Sequence, residues 1–306
     1  MAREVEFQVQ LPRRHRTPLR SFLRLMEIRG YLLVLPLLAL FLGFFVYPIT
    51  GILVAGFYTS PSAGGAPQLT LAEYARFFDS SEYVSVLFTT FRIAAISTAA
   101  AMLIGYPTAY FLTRSERELA KKVVLVLMFV TLFVGAISRN YAWLVLLADG
   151  GPVVQFLRIL GAKNLSLLGT ETGVIISLTQ FLLPYATLSL IPSLKNIDRF
   201  TEEAALSLGA TGSKTFVRIT LPQSLPGIVA AVSLSFSLGA SAFVTPLIIG
   251  SGVVNMLSNF VYTRFVEIFD YPFGSVLSTI LLVTALFFAY VVNSLLVRRF
   301  EVRRRK

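Results

Sequence analysis

The sequence predicts an all-α integral membrane protein with six transmembrane helices and a cytoplasmic helix between spans four and five. Three observations predict it. Of 306 residues, 55% are hydrophobic and 14% charged, with mean hydropathy +0.73, where soluble domains carry about 25% charged residues. Six apolar stretches, near 31–57, 84–112, 120–148, 172–194, 223–250 and 275–297, each reach the ~20 residues that a helix needs to cross a hydrocarbon core of about 30 Å. Lys and Arg are shared unequally between the connecting segments, which sets sidedness.

Residues 1–30 form a basic cytoplasmic arm with seven arginines from Arg3 to Arg29. Its Arg13-Arg14-His15-Arg16 run suits anionic membrane lipid, at about 1 kcal/mol per basic residue, and Phe22, Leu25 and Met26 fall at the spacing of a short interfacial helix. The first apolar run, 31–57, far exceeds a 7 to 15 residue signal-peptide core, so span one stays in the protein. Residues 59–70 are an outer, turn-rich loop, followed by a helix carrying Leu71, Tyr74 and Phe77. After span two comes an inner loop with Arg114, Arg117, Lys121 and Lys122; after span three, an outer loop from Asp149 to Glu171. Within that loop the apolar segment Val153–Leu160 is too short to span and is expected along the surface. Loop five, Ser251–Gly274, mixes apolar residues with Arg264, Glu267, Asp270 and Pro272, and span six ends in a basic cytoplasmic tail, 301–306.

The four inner segments together hold 21 Lys and Arg and the three outer loops four. Both termini are therefore expected in the cytoplasm, with an even span count. The +11 charge reflects this topology, and its spread over four membrane-edge segments excludes a nucleic-acid partner. No Cys and the single His15 exclude disulfides, thiolate sites and His clusters, so no metal and no cofactor is predicted.

The inner segment 195–222 is too long for a connection without structure of its own. Asp198 suits an N-cap, Glu202 and Glu203 a first turn favoured by the helix dipole, and Gly209 a left-handed C′ position. These predict a helix over 199–208 that gathers Ala204, Ala205 and Leu208 on one face. A second helix, capped by Ser213, is expected to reach about 221, where Pro222 interrupts it. Helical pattern alone describes an amphipathic helix covering the bundle. Yet Glu203-Ala204-Ala205, Gly209, Ile219 and Leu221-Pro222 complete an E-A-A-x3-G-x9-I-x-L-P pattern, with a chance frequency of about 10⁻⁸ per window at average usage. The run Gly209–Thr215 resembles a phosphate loop only superficially: Ser213 stands before Lys214 where glycine is required, and Leu208 replaces the first glycine.

On that motif the chain resembles the permease subunits of type I, binding-protein-dependent ABC importers, and among them the spermidine/putrescine-type group. Gly105-Tyr106-Pro107-Thr108-Ala109-Tyr110-Phe111-Leu112, Leu182-Leu183-Pro184-Tyr185 and Asp270-Tyr271-Pro272-Phe273-Gly274-Ser275 match as well, over a permease domain of about 31–300. The resemblance implies the type I ABC importer permease fold in a bacterial inner membrane. It implies two cytoplasmic ATP-binding subunits, a second and related permease subunit, and an extracytoplasmic solute-binding protein. The helix at 199–209 is then the coupling helix, with Glu203, Ala204, Ala205 and Gly209 carried over from the motif. The permease itself is not an enzyme; its ATPase partners hydrolyse ATP.

Arg92 and Arg139 are ionisable residues well inside apolar spans, where charge is costly and marks function. Each lies eight or nine residues from an outer span end, so both are expected about 12 to 14 Å deep and at one level. Two readings stand open for them: lining a solute pathway and attracting a carboxylate or phosphonate, or structural pairing, with Arg139 reaching Asp149, Glu171 or nearby carbonyls. In span five, Phe243, Thr245 and Pro246 are further candidate pathway residues, and Pro246 with Gly239 and Gly250 is expected to interrupt the helix. The group's polyamine carriers imply an acidic residue here, and Ala242–Pro246 contains none. The solute expected is thus polyamine-like, or opine-, amino-acid- or phosphonate-like. The alternative of a stand-alone secondary transporter or channel lacks intramembrane carboxylates, and an intramembrane hydrolase lacks both a Ser-His and a paired Asp arrangement.

Overall fold

A computed structural model describes residues 34–59, 68–161 and 166–304, with side chains through 295. The expected interfacial helix around Phe22, Leu25 and Met26, and the side chains of the basic tail, lie outside the described residues. Among the described residues the chain is helical, without strands, and one isolated bridge pairs Tyr58 with Leu69 across the outer loop. It divides into two compact units, Met1–Ile52 and Leu53–Lys306. The described part of the first belongs to α1, Val34–Ala55, which widens into a π-turn at Leu42–Val46.

The second unit contains α2 (Ala72–Asp79), α3 (Ser81–Arg114), α4 (Glu118–Phe133), α5 (Ala136–Leu147), α6 (Pro152–Ile159) and α7 (Glu171–Lys195). It continues through α8 (Arg199–Ser207), α9 (Gly212–Gln223), α10 (Leu225–Ser241), α11 (Val244–Ile249), α12 (Leu257–Tyr262) and α13 (Tyr271–Arg304). By length and composition Val34–Ala55, Ser81–Arg114, Ala136–Ile159, Glu171–Lys195 and Tyr271–Leu295 can cross a membrane. A sixth span is complete if α9 and α10, bent by 68°, count as one.

The spans differ in detail from a reading of hydropathy. The stretch 120–148 is two helices, α4 and α5, separated at Val134 and Gly135, glycine being the least helix-favouring residue apart from proline. The apolar segment expected along the surface is α6, which buries Val154 completely while Phe156 and Ile159 stay exposed. The fifth stretch breaks at Ala242–Phe243 and again at Gly250. Helix α13 begins at Tyr271, earlier than expected, because Asp270 accepts a hydrogen bond from Phe273 N (3.3 Å) and Pro272 suits a first turn.

Helix α7 is the central post. Leu178, Leu182, Ala186, Leu190 and Leu194 recur every fourth residue and are fully buried, so one edge of the helix faces the core along its length. It packs against α3 and α10, which also pack against each other. Lipid offers no hydrophobic drive for helix association, so close contact must come from small residues. Helix α3 supplies Ala94, Ala101, Gly105 and Ala109, all buried, and a Cβ on Gly105 would stand 3.1 Å from Thr187 Oγ1. Hydroxyls of α7 return to its own backbone: the buried Thr187 Oγ1 donates to Leu183 O (2.8 Å) and the half-buried Thr179 Oγ1 to Ile175 O (2.7 Å).

The approach of α10 to α7 is tightest at Gly227. Its N–H donates to Ser193 Oγ (3.2 Å), and an added Cβ would lie 2.5 Å from Ser193 Cβ. Gly227→Ala is expected to lower stability by about 1–3 kcal/mol through overpacking. This is read as a lower melting temperature of the purified protein; an unchanged transition would contradict so close a contact.

Candidate functional site

The inner helix α8 is built almost entirely from local signals. Asp198 Oδ1 accepts from Phe200 N (3.0 Å), closing the N-terminus. At the other end Gly209 N donates to Leu206 O and Ala210 N to Ala205 O, both 3.0 Å, with Gly209 at φ +85°. This is a complete Schellman closure, and its left-handed position is what glycine accommodates best. The first turn contains Glu202, while Glu203 falls past it. Phe200, Glu203, Ala204, Ser207 and Leu208 are exposed along one side, with Leu208 at 89%. Such apolar exposure on a charged inner segment is what a docking surface presents. Ala205 is half-buried on the inner edge.

Glu202 points the opposite way and is buried. Its Oε2 lies 2.9 Å from Arg114 Nε at the inner end of α3, and its Oε1 accepts from Thr220 Oγ1 (2.6 Å). Arg114 Nη2 also donates to Ile197 O (3.1 Å), and Arg199 Nη2 to Thr113 O (2.9 Å). Helix α9 is capped by Thr211, whose Oγ1 accepts from Lys214 N, rather than by Ser213; the helix begins at Gly212 and widens into a π-turn over Phe216–Thr220. No strand precedes Gly209–Thr215 among the described residues, so the phosphate-loop likeness has no structural counterpart.

The second part of the site is the break in the fifth span. Between α10 and α11 the carbonyls of Ala242 and Phe243 accept from Ser258 Oγ and Asn259 Nδ2, both at 2.9 Å. Asn259 Oδ1 also accepts from Met256 N (3.1 Å), and Leu257 N donates to Thr90 Oγ1 (2.8 Å). The broken backbone thus finds its side-chain partners on α12, which is itself tied to α3 through Thr90. Phe243 is half-buried and stacks on Tyr262, ring centroids 5.1 Å apart. Thr245 and Pro246 are buried behind it. Sequence reasoning missed Thr90, Ser258 and Asn259; the signal for the last two was an adjacent polar pair in the otherwise apolar run Met256–Tyr262.

The two membrane arginines are not at one level. Arg92 pairs with Glu171, the first residue of α7. Arg139 lies over the ring of Phe181 at 4.4 Å, ten positions further along the same helix, or about 15 Å of rise. Asp149 pairs with Arg158 at 3.7 Å, so neither carboxylate considered for Arg139 reaches it. The carbonyl of Ala136 is capped by Asn140 Nδ2 (2.8 Å), not by Arg139.

Residues 101–306 match the family model described as "binding-protein-dependent transport system inner membrane component". The spermidine/putrescine transport system permease protein PotB of Salmonella typhimurium strain SL1344 is 32% identical over 211 residues, covering 68% of this chain and 73% of that protein. The inner membrane ABC transporter permease protein YdcU of Escherichia coli strain K12 is 27% identical over 252 residues, covering 77% and 80%. Among solved structures, a chain of a bacterial ABC transporter involved in the import of the acidic polysaccharide alginate aligns with a TM-score of 0.71 at 17% identity, covering 92% of this chain and 99% of that one.

Asn259→Ala is expected to leave the buried Met256 N without its acceptor and Phe243 O with Leu247 N alone as donor, the unpaired buried group costing about 1–3 kcal/mol. The expected outcome is a lowered melting temperature together with faster proteolysis of the 242–259 region. Wild-type behaviour in both would mean the break does not depend on this side chain.

Proposed function

Because the chain belongs to the family of binding-protein-dependent transport system inner membrane components, and is a permease subunit of an ABC importer, we propose that α8 is its coupling helix and that Glu203, Ala204, Ala205 and Gly209 seat it in a cytoplasmic ATP-binding subunit. The supporting observation is the arrangement of α8: capped by Asp198, closed at Gly209, and exposing Phe200, Glu203, Ala204 and Leu208 on one side. Two such ATPases hydrolyse ATP, and the permease is not itself catalytic. A second, related permease completes the pathway, an extracytoplasmic binding protein delivers the solute, and both termini are cytoplasmic. Closure of the ATPases draws the coupling helices together and shifts the permease pair between inward and outward access, as any two-state system shifts toward the state its ligand favours.

The cargo in this proposal is a small organic solute, polyamine-like in keeping with the relatives named for spermidine and putrescine, or opine-, amino-acid- or phosphonate-like. A specific observation favours the second class. Arg139 rests on an aromatic ring and not on a carboxylate, so its guanidinium retains attraction for an anionic group. Phe243 forms a constriction in the pathway, its carbonyl held by Asn259, with Thr245 and Pro246 as further lining of the broken segment. Arg92, answered by Glu171, belongs to the outer rim.

Replacing Glu203 with Lys, or Gly209 with Val, is expected to cut co-purification of the ATPase subunit by about tenfold or more, as loss of a central interface anchor does, with membrane insertion unchanged. Undiminished co-purification and ATP hydrolysis in both variants would sink the coupling assignment. Arg139→Ala is expected to reduce uptake of an anionic solute by roughly 10-fold or more and to spare a purely cationic one, on the scale of a lost charge-assisted hydrogen bond. Equal loss for spermidine and for a carboxylate-bearing solute would show Arg139 to be structural.

A further inference from the structure

We infer that Arg114, Glu202 and Thr220 form a mechanical relay that passes displacement of the coupling helix simultaneously to the second and fifth spans. The inference rests on the coupling role proposed for α8, and it assigns positioning residues outside the E-A-A motif. Its starting point is how α8 is held. Glu202 is the one buried residue of this helix, while Phe200, Leu206 and Leu208 are exposed. An amphipathic helix usually holds to its protein through an apolar face; α8 holds through a carboxylate.

That carboxylate has two different elements on its two oxygens. Oε2 meets Arg114 at 2.9 Å, at the last turn of α3; Oε1 receives the Thr220 hydroxyl at 2.6 Å, at the end of the π-turn that leads into α10. Arg114 reaches back to Ile197 O just before α8, and Arg199 to Thr113 O beside Arg114. The side chains of Arg114 and Glu202 are 13% and 11% exposed, so separating them would leave an uncompensated charge in a confined site. A pull on α8 therefore carries α3 with it and the end of α9, which runs on into α10 through the 68° bend. Helix α3 continues outward to Thr90, and α10 to the break at Ala242–Phe243, both parts of the polar knot around Asn259.

The test uses the full reconstituted transporter: both permeases, the ATPases and the binding protein. Spin labels at Phe269→Cys of this otherwise cysteine-free chain and on the outer face of the second permease report their separation in nucleotide-free and vanadate-trapped states. In wild type, trapping is expected to shift the distance. In Glu202→Gln, and in the milder Thr220→Val, trapped nucleotide stays within about twofold of wild type, while the shifted population falls at least about fivefold, the lower end of typical coupling. Arg114→Lys, which keeps the charge, recovers part of the shift. A full shift in both variants overturns the relay. Loss of ATPase binding in both overturns it too, by making the trio a support for docking. An unlabelled-arm control in which wild type neither binds ATPase nor traps nucleotide would instead remove the coupling reading beneath it.

Discussion

Hydrocarbon has no water to offer an opened backbone, so a helix that breaks inside a membrane must find replacement partners within the protein. At Ala242–Phe243 those partners are Ser258 and Asn259. They are themselves fixed, because Asn259 caps the start of α12 and Leu257 is tied to Thr90 on α3. Three elements distant in sequence therefore meet at one set of hydrogen bonds. The half-buried position of Phe243, its stacking on Tyr262 and the burial of Thr245 and Pro246 all accompany where that break is held. In a fold whose helices otherwise associate through small residues and van der Waals contact, such as Gly105 against Thr187, this knot supplies directionality that apolar packing lacks.

The opposite end of α10 follows the same logic at the membrane edge. Helix α8 has no buried apolar anchor, and its attachment runs through Glu202 to Arg114 and Thr220. Between the two polar fastenings lie the 17 residues of α10, about 25 Å of continuous helix. It is pressed against α7 at Gly227 and against α3 near Gly239, where Ala94 approaches. Polar fastenings at Thr220 and at Ala242–Phe243 thus bracket α10 and the 68° bend that precedes it, and in the proposed relay they hold in register what apolar contact alone would let slide.

What the sequence made legible was what local chemistry decides. Asp198 and Gly209 mark the ends of α8 because capping involves residues two to five apart. Thr211 and Ser213 are both good cap residues, and only the backbone path decides between them. The adjacent acids Glu202 and Glu203 read alike in sequence; one is buried because Arg114, 88 positions earlier, lies beneath it. Hydropathy saw one apolar run over 120–148, since it weighs composition and is blind to the conformational break at Val134–Gly135. The partner of Arg92 lies 79 positions away, beyond any periodicity argument. Equal distance from span ends failed for the arginines because the third span is broken next to Arg139, which shifts its depth relative to α7.

The arginines also bear on cargo through sign rather than contact. Arg92 is answered by Glu171 at the head of α7, so the outer rim there is close to neutral. Arg139 is answered by the face of Phe181, and an aromatic ring compensates a cation only in part, by about 0.5–2 kcal/mol. In the proposed pathway the residual positive field acts on the solute that passes Arg139. For a solute carrying a carboxylate or phosphonate it is an attraction; for a polyamine it is a barrier at the same place. A polyamine pathway on this scaffold would need its compensating negative charge elsewhere, and Ala242–Pro246 contains no carboxylate. Glu171 is the carboxylate paired with Arg92, and that engagement makes it available to a cationic solute only by exchange of one cation for another.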